Sequence, residues 1–487
     1  MDKLKAILTD TSLFRRCYMY CLFFCVITFV QVPAYVALVF LFFWGVFLLF
    51  YNESKRQAIS RTRFGIWLLA FIFFSTLTAV LHINSNFIYN MVVQFHIAIC
   101  FFVFYGLHTE KHLNFRKELY QICRFVLYAT TIVGVIGLAC LMAGINFEVM
   151  SFKFIIYENR FTGIYANPNP LGFMSVVGIM CVHMLTKSYF VEMSGEPRIS
   201  RIWLASALAI NGISLFLCDS NGAIILLIFY CIFFTLYKMF GAEHEFTKKQ
   251  IVSKLISCVL VGAFIMGSTF LVRELCQAGF TQILETAEVA SQIEETAPAE
   301  KEDVFYATER VTFDHVNKNI DSGRFRLWRQ AASLFSDFPL FGIGKGNIYD
   351  YGADKFDTGI EFADTYGDFL SSFLADFHNG YAMILVCSGI IGFALFSIFG
   401  LRFAKHITIH VFKDKNLKES ILPCMYAFLC AYLVYAFFEE SLLYGISFRI
   451  QFFWLVMGYV SCFLCKYEPD YREEINFFKR KIRKTML

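Results

Sequence analysis

Three arginines lie close together in a long polar segment that interrupts an otherwise apolar chain. Arg324, Arg326 and Arg329 fall in the stretch SGRFRLWRQAASLFSDF, where apolar residues recur at the spacing of an amphipathic helix. Cations in the first turns of a helix oppose its dipole, but arginines beside free backbone N–H groups form a site for anions. Because a guanidinium can hold phosphate through two parallel hydrogen bonds, the pattern indicates a phosphate-bearing ligand. Contact of these arginines with lipid headgroups or with carboxylates of the same segment is the alternative.

The helix that carries these arginines is predicted to begin at Ser322, since serine is a common N-cap. Four of its apolar residues recur at helical spacing, and three more lie beside them. The first set is Phe325, Trp328, Ala332 and Phe335, and the second set is Leu327, Ala331 and Leu334. The acidic stretch 281–303, earlier in the same segment, is predicted to be a solvated helix or a flexible insertion.

His378 is the titratable residue best suited to proton transfer. It follows Asp376 by two residues and begins the sequence HNGYAMILVCSGIIGF, at the start of an apolar stretch. Histidine is the commonest general acid or base, and its unperturbed pKa of about 6.5 lies near neutrality. We predict that His378 is a general base and that the Asp376 carboxylate is the rival for this role. A structural histidine at the membrane boundary is the alternative interpretation.

A second polar segment ends in the sequence ENRFTGIYANPNPLG and contains a basic residue, Arg160. Asn167 and Asn169 alternate here with Pro168 and Pro170, and each proline biases the residue before it away from the helical conformation. The sequence therefore predicts a rigid turn whose side-chain amides can bind hydroxyl groups. A turn that simply starts the next helix, with Pro170 near its first position, is the structural interpretation, to which binding would be added.

The composition is typical of a polytopic membrane protein. Of 487 residues, 57% are hydrophobic and 17% are charged, whereas soluble domains carry about 25% charged residues. About twelve apolar stretches are long enough to cross a hydrocarbon core of about 30 Å, where helices satisfy their own backbone groups. The predicted fold is all-α, a bundle of about twelve transmembrane helices with a large, mostly helical extracytoplasmic loop. The predicted spans are 17–33, 34–51, 64–82, 87–107, 125–144, 170–187, 202–218, 221–240, 255–272, 380–400, 420–438 and 447–465.

The loops between these spans alternate between rich and poor in Lys and Arg, which orients the chain in a membrane. Both termini are predicted to be cytoplasmic. The chain then divides into residues 1–272 with nine helices, an extracytoplasmic loop at 273–379, and residues 380–487 with three helices and a basic cytoplasmic tail.

The sequence does not indicate metal, cofactor or nucleic-acid binding. Most of the 16 Cys residues fall inside apolar stretches, where Cys acts as a small apolar residue, and no paired Cys/His spacing is present. The sequence FGIGKG lacks the spacing of a phosphate-binding P-loop and is predicted to be a turn. The net charge of +4 is small, so no nucleic-acid partner is expected. Because these motifs are absent from the sequence, no cofactor is expected either.

Three sequence pieces together resemble the O-antigen ligase and O-antigen polymerase superfamily of bacterial membrane glycosyltransferases. They are RFTGIYANPNPLG, SGRFRLWRQAASLFSDFPLFGIGKGN and HNGYAMILVCSGIIGF. Their order, and the position of the second piece in a long outer loop, also match the family. The resemblance covers roughly residues 155–400.

This resemblance implies a metal-independent, inverting transferase on the outer face of the bacterial inner membrane. Its donor would be a glycan on undecaprenyl pyrophosphate, its acceptor would be a hydroxyl of a glycan or a lipid, and membrane lipids would surround it. Arginines would hold the pyrophosphate, and a base would take the proton of the acceptor. On this chain the implied catalytic residues are His378, Arg324 and Arg160, and the candidates for substrate binding are Asn167, Asn169, Arg326, Arg329 and Asp376.

The chain departs from the family at one place. Family members commonly carry Ser-Arg-Gly/Ala where this chain reads CDSNGA, so that Asn221 follows Ser220. Either Arg160, Arg326 or Arg329 then takes the place of the absent arginine, or this chain binds its donor in a different way.

Polymerisation of undecaprenyl-pyrophosphate-linked repeats into a cell-surface polysaccharide is the expected function, because this arginine and a lipid-core signature are both absent. Ligation of the glycan to a lipid-core or wall acceptor is the second possibility. A transporter of lipid-linked glycans is the alternative of another class, but it would need charges that line the bundle and a repeat symmetry. A non-catalytic assembly subunit is a further alternative.

Overall fold

The described part of the chain folds into seventeen helices and one small sheet. A computed structural model describes residues 2–83, 86–110, 113–145, 147–149, 152–157, 160–241, 247–294, 324–356, 375–413 and 420–464. The predicted N-cap Ser322 lies outside the described residues. The helices are α1 Asp2–Leu8, α2 Thr11–Phe24, α3 Gln31–Arg56, α4 Ala58–Arg61, α5 Gly65–Leu81, α6 Phe87–Ile99, α7 Phe115–Met142, α8 Pro168–Leu185, α9 Ser188–Ser194, α10 Arg201–Leu217, α11 Asn221–Phe240, α12 Lys248–Glu294, α13 Arg324–Asp337, α14 Ile348–Lys355, α15 Gly380–Lys413, α16 Leu422–Tyr435 and α17 Phe448–Leu464.

The predicted helical membrane bundle is confirmed. Among the described residues, seven helices are long and apolar enough to cross a membrane, and four shorter helices are apolar as well. Each predicted span overlaps a helix, although the first, 17–33, is displaced toward Thr11–Phe24. The exact number of crossings stays a prediction.

Burial separates the inner helices from the outer ones. Helices α8, α16 and α17 are buried along nearly their whole length, whereas α3 and α12 leave many large apolar side chains exposed. A helix that is apolar all round suits either a core or a lipid environment, so the exposed apolar faces of α3 and α12 fit contact with lipid.

Helix α12 is far longer than its predicted span. Its 47 residues extend over roughly 70 Å, more than twice the thickness of a hydrocarbon core of about 30 Å. The predicted start of the outer loop, residue 273, therefore lies within a continuous helix.

A three-stranded antiparallel sheet precedes α8 and is not predicted by the sequence. Its strands, in spatial order, are β1 Phe147–Val149, β2 Phe152–Tyr157 and β3 Arg160–Gly163. The strands are short, and the apolar run in β2 lacks the strict alternation that identifies a strand. The sheet places Arg160 at the beginning of β3, opposite Tyr157.

Helix α15 is broken at Gly389, where φ is 64° and ψ is −172°. The segment PLFGIG satisfies backbone groups that the break releases. The amide of Ile390 donates to the carbonyl of Pro339 at 2.8 Å, and the amide of Ile343 donates to the carbonyl of Val386 at 2.9 Å. Buried backbone groups need such partners. The segment predicted to be a turn after α13 is therefore also docked on α15.

Candidate active site

A buried carboxylate, Glu439, lies at the centre of three cationic side chains. Its Oε1 is 3.2 Å from Arg324 Nη2, and its Oε2 is 2.8 Å from Arg449 Nη1 and 3.6 Å from His378 Nδ1. The Glu439 side chain is 4% exposed, so these groups compensate its charge more than water does. Since the four residues come from separate segments, this Glu439 cluster joins α13, α15, α17 and the loop before α17.

The face that α13 buries determines which arginine reaches the cluster. Leu327, Ala331 and Leu334 are buried, and Arg324 precedes Leu327 by three residues, which places both on one side of the helix. Arg324 Nε also donates to the carbonyl of Phe438 at 3.2 Å. Arg324 is thus held against the loop that contains Glu439.

Arg326 and Arg329 are exposed on α13. Arg329 Nε donates to the carbonyl of Phe325 in the same helix at 3.4 Å. Phe325 and Ala332 are exposed as well, so the buried side of this helix is the one that carries Leu327, Ala331 and Leu334. Spacing alone predicted the helix but did not show which of two adjacent apolar stripes packs inward.

The sequence HNG holds His378 close to Glu439. The backbone of His378 is left-handed, with φ of 46°, which is uncommon for a residue with a side chain. The side chain of Asn379 accepts hydrogen bonds from the amides two and three residues later, each at 3.0 Å. The amide of Gly380 donates to the carbonyl of Glu439 at 3.1 Å. Each residue of this sequence therefore helps to fix the imidazole beside the carboxylate.

His378 lies between two carboxylates. Its Nδ1 is 3.6 Å from Asp376 Oδ1 and 3.6 Å from Glu439 Oε2, and its amide donates to Asp376 Oδ1. Burial disfavours the charged imidazolium, but Asp376 and Glu439 outweigh burial and raise the pKa of His378 to about 9. The two carboxylates therefore favour the protonated form of the imidazole. Its role in catalysis stays a prediction.

The cations also fix the charge of Glu439. Burial alone would raise the pKa of this carboxyl, but His378, Arg449 and Arg324 hold it well below its ordinary range. The cations therefore favour the ionised form of Glu439 at the centre of the cluster.

A second group of buried charges, an ion pair, lies next to the Glu439 cluster. Lys345 Nζ is 3.6 Å from Glu440 Oε2 and donates to the carbonyl of Ala375. Burial raises the pKa of Glu440 to about 7, although Lys345 opposes this rise. Lys345 belongs to the sequence FGIGKG. This turn therefore places a buried cation in contact with the segment that leads to His378.

Arg160 lies against the start of α11. Its Nε donates to the carbonyl of Cys218 at 3.0 Å, and its Nη2 donates to the carbonyl of Asp219 at 3.1 Å and to Asn169 Oδ1 at 3.2 Å. Ser220 Oγ donates to the same oxygen of Asn169 at 3.2 Å. All these acceptors are neutral, so no carboxylate in the described part of the chain offsets the charge of Arg160.

The carboxylate of Asp219 is paired with Arg273 of α12 instead. Both side chains are 5% exposed, and Gln277 Nε2 lies 3.4 Å from the same oxygen. Arg160, Arg326 and Arg329 are the candidates to replace the arginine absent at Asn221. Of these, Arg160 contacts the residues just before Ser220.

The NPNP sequence starts α8 as its structural interpretation predicts. Asn167 is the N-cap and accepts a hydrogen bond from the amide of Asn169 at 2.9 Å, with proline in the first turn. The side chain of Asn169 faces Arg160 and Ser220. Binding of substrate by Asn167 and Asn169 stays a prediction.

The first turn of α11 lies between the Arg160 group and the Glu439 cluster. A Cβ at Gly222 would be 3.3 Å from Tyr435 Cε2 and 3.8 Å from Glu439 Oε1, so a glycine here allows close approach. The side chain of Ser220, the N-cap, makes no capping hydrogen bond to the helix. The free N–H groups of a first turn, flanked by two arginines, form an arrangement suited to an anion.

Residues 205–397 match the family model described as O-antigen ligase. The match covers less than half of the chain and supports similarity of this part to the O-antigen ligase and polymerase superfamily. The match extends from α10 to the middle of α15 and includes Arg273, Arg324 and His378, whereas Arg160 and Glu439 lie outside it. No curated protein matches the chain.

The family described by this model is one of O-antigen ligases, which are glycosyltransferase-like membrane enzymes. In the part of the chain that the structure describes, no group of three or more His, Cys, Asp or Glu residues is arranged to hold a metal ion.

Replacing Glu439 by Gln is expected to lower the free energy of unfolding by about 3–5 kcal/mol, because three partly buried cations lose their common carboxylate. The matched control is Glu192→Gln, since Glu192 pairs with Arg198 and both side chains are more than 60% exposed. The control is expected to cost less than about 1 kcal/mol. Unfolding of both variants in the same detergent measures the difference, and equal effects would contradict the central position given to Glu439.

Proposed function

We propose that the chain transfers a glycan from undecaprenyl pyrophosphate to an acceptor hydroxyl at the outer face of the bacterial inner membrane. The observation that carries this proposal is the uncapped first turn of α11 between Arg160 and Arg324, with His378 beside it. A pyrophosphate requires several strong donors at once, and this arrangement offers two guanidinium groups and a helix N-terminus.

The donors would act mainly on the leaving group. As the bond between the anomeric carbon and the phosphate oxygen breaks, negative charge grows on undecaprenyl pyrophosphate. Arg160, with neutral acceptors around it, and Arg324, at the edge of the Glu439 cluster, would stabilise that charge in the transition state. Because the two guanidinium groups would supply the positive charge, the proposed transfer is metal-independent.

The acceptor oxygen would attack the anomeric carbon from the face opposite the pyrophosphate, and this direction inverts the configuration of that carbon. The new bond forms between the acceptor oxygen and the carbon, and the hydroxyl proton passes to a base. We assign this role to His378, which must first release the proton that Asp376 and Glu439 hold on it. Asp376 itself is the rival base, because its carboxylate lies within the same group.

The arrangement of the segments supports the outer location. The starts of α8, α11, α15 and α17 meet at one end of the bundle, and the short loops at that end contain few Lys and Arg residues. Loops poor in these residues typically face away from the cytoplasm.

The acceptor distinguishes two forms of this function. The expectation of polymerisation rests partly on the arginine absent at Asn221. The guanidinium of Arg160 donates to the carbonyls of Cys218 and Asp219, just before Ser220. A cation is therefore present beside Asn221 although the sequence lacks the arginine. With that argument weakened, the family description supports ligation to a lipid-core or wall acceptor, and we adopt ligation as the proposed form. Polymerisation of the repeats is the second candidate.

Incubation of the purified protein with an undecaprenyl-pyrophosphate oligosaccharide tests both forms. Ligation predicts a single transfer that requires an added lipid-core or wall acceptor, whereas polymerisation predicts a ladder of products from the donor alone. The products are resolved by gel electrophoresis and mass spectrometry. Absence of turnover with every acceptor would contradict the transferase proposal and favour a transporter of lipid-linked glycans.

The pH dependence of turnover tests the base. If His378 is the base, the rate should rise about tenfold per pH unit below its pKa of about 9 and level off above it, because only the neutral imidazole accepts a proton. His378→Ala should lower turnover by about 10²- to 10⁴-fold and abolish this rise.

The matched variant is Asp376→Ala, which keeps the imidazole but removes one of the carboxylates that hold its proton. Its pH profile should shift to lower pH while turnover remains. An active His378→Ala with an inactive Asp376→Ala would show that the base is Asp376. Donor binding by both variants checks that they are folded.

A further inference from the structure

A cavity of about 810 Å³ lies where α2 and α7 begin and α3 ends. It is at the end of the bundle opposite the candidate active site. Helix α7 runs from the cavity for roughly 40 Å, and its other end leads into the sheet that carries Arg160. The cavity therefore belongs to a different region from the Glu439 cluster and has no part in the proposed transfer.

Five cations line this cavity, which we call the basic cavity. They are Arg16, Lys55, Arg56, Arg61 and Lys117. Lys55 and Arg61 are exposed and make no ion pair within the described residues. Arg56 Nη2 contacts Glu110 at 3.2 Å, while its Nε has no hydrogen-bond partner in the described part of the chain.

The carboxylates in the wall are already engaged. Arg15, a fully buried side chain just behind the wall, lies 2.6 Å from Glu110 and 2.8 Å from Glu118. The third carboxylate, Asp10, is the N-cap of α2 and accepts a hydrogen bond from the amide of Leu13. The wall thus has five cations and three carboxylates, and Arg15 adds a further cation behind it, so the basic cavity keeps an excess of positive charge even though Lys117 lies 3.9 Å from Glu196.

The rest of the wall is polar and contains few apolar groups. Leu113 is its one apolar residue, and Thr9, Ser12, Asn114 and Gln121 offer hydroxyl and amide groups. The N-termini of α2 and α7, helices of 14 and 28 residues, add positive partial charge at the same place. The volume lies within the range of about 300–1,000 Å³ that is usual for small-molecule sites.

We propose that the basic cavity binds a phosphate ester, with the phosphate among the cations and a hydroxylated group against the neutral polar side chains. Two sources share this chemistry. One is the headgroup of an anionic phospholipid such as phosphatidylglycerol, and the other is a soluble phosphate ester. Scattered basic residues at a membrane surface would also attract anions, but they would not form a walled site of this size.

Binding is measured by isothermal titration calorimetry on the full chain in neutral detergent micelles. One titrant is short-chain phosphatidylglycerol, a second is short-chain phosphatidylcholine, and a third is glycerol phosphate in solution. The test variant is Lys55→Gln with Arg61→Gln, since both side chains are exposed and their loss should leave the fold intact. The control is Lys248→Gln with Lys249→Gln, two exposed lysines outside the cavity.

The test variant is expected to weaken binding of the anionic titrant at least about tenfold, because two of the five cations that attract the phosphate are lost. The control should bind like the wild type. Tight binding of phosphatidylglycerol alone identifies a headgroup site, and comparable binding of glycerol phosphate identifies a site for soluble esters. The proposal is overturned if neither anion binds, if phosphatidylcholine binds as tightly as phosphatidylglycerol, or if both double variants weaken binding equally. None of these measurements depends on turnover, so they stand apart from the proposed transferase.

Discussion

The carboxylate of Glu439 divides its two oxygens among Arg324, Arg449 and His378, and the arrangement of the candidate site depends on that sharing. A carboxylate with 4% of its side chain exposed is costly to bury unless cations surround it. Each of the three cations comes from a different part of the chain. The loop before α17 must therefore remain where α13 and the start of α15 can reach it.

Close packing brings the second arginine to the same region. A Cβ at Gly172 of α8 would be 2.8 Å from Ser220 Cβ, and a Cβ at Gly222 would be 3.3 Å from the Tyr435 ring. The two glycines allow α8, α11 and α16 to meet at the first turn of α11. Interiors are packed closely enough that a methyl group at either position would force a shift.

Much of the fold follows from features that are local in sequence. The apolar stretches predict the helices, the NPNP sequence predicts the start of α8, and helical spacing predicts α13. The small sheet is missed because its strands are short and β2 does not alternate. The boundary at residue 273 falls inside α12 because a change in polarity does not require a change in secondary structure.

The site is less accessible to sequence reasoning because its pairs join distant segments. Arg324 and His378 are predicted from residue type and resemblance, and both lie in the Glu439 cluster. The pairs Lys345–Glu440 and Arg273–Asp219 have no local pattern, since each joins residues more than fifty positions apart. The raised pKa of His378 likewise depends on the distant residue Glu439, in addition to its near neighbour Asp376. One sequence signal could have indicated these ion pairs. Acidic residues at the ends of apolar spans, such as Glu439 and Glu440, need cationic partners from elsewhere in the chain.

The most direct test of the account is a comparison of Arg324→Lys with Arg326→Lys, measured as turnover and as affinity for an undecaprenyl-pyrophosphate oligosaccharide. Both changes keep the charge and lose the guanidinium fork, and both residues lie in the first turn of α13. The account predicts that Arg324→Lys weakens donor use about tenfold to a hundredfold, since hydrogen bonds to charged groups contribute about 1.5–3 kcal/mol each, while Arg326→Lys remains near the wild type. Near-normal turnover and donor affinity in Arg324→Lys, or an equal loss in both variants, would contradict the assignment of Arg324 to the pyrophosphate.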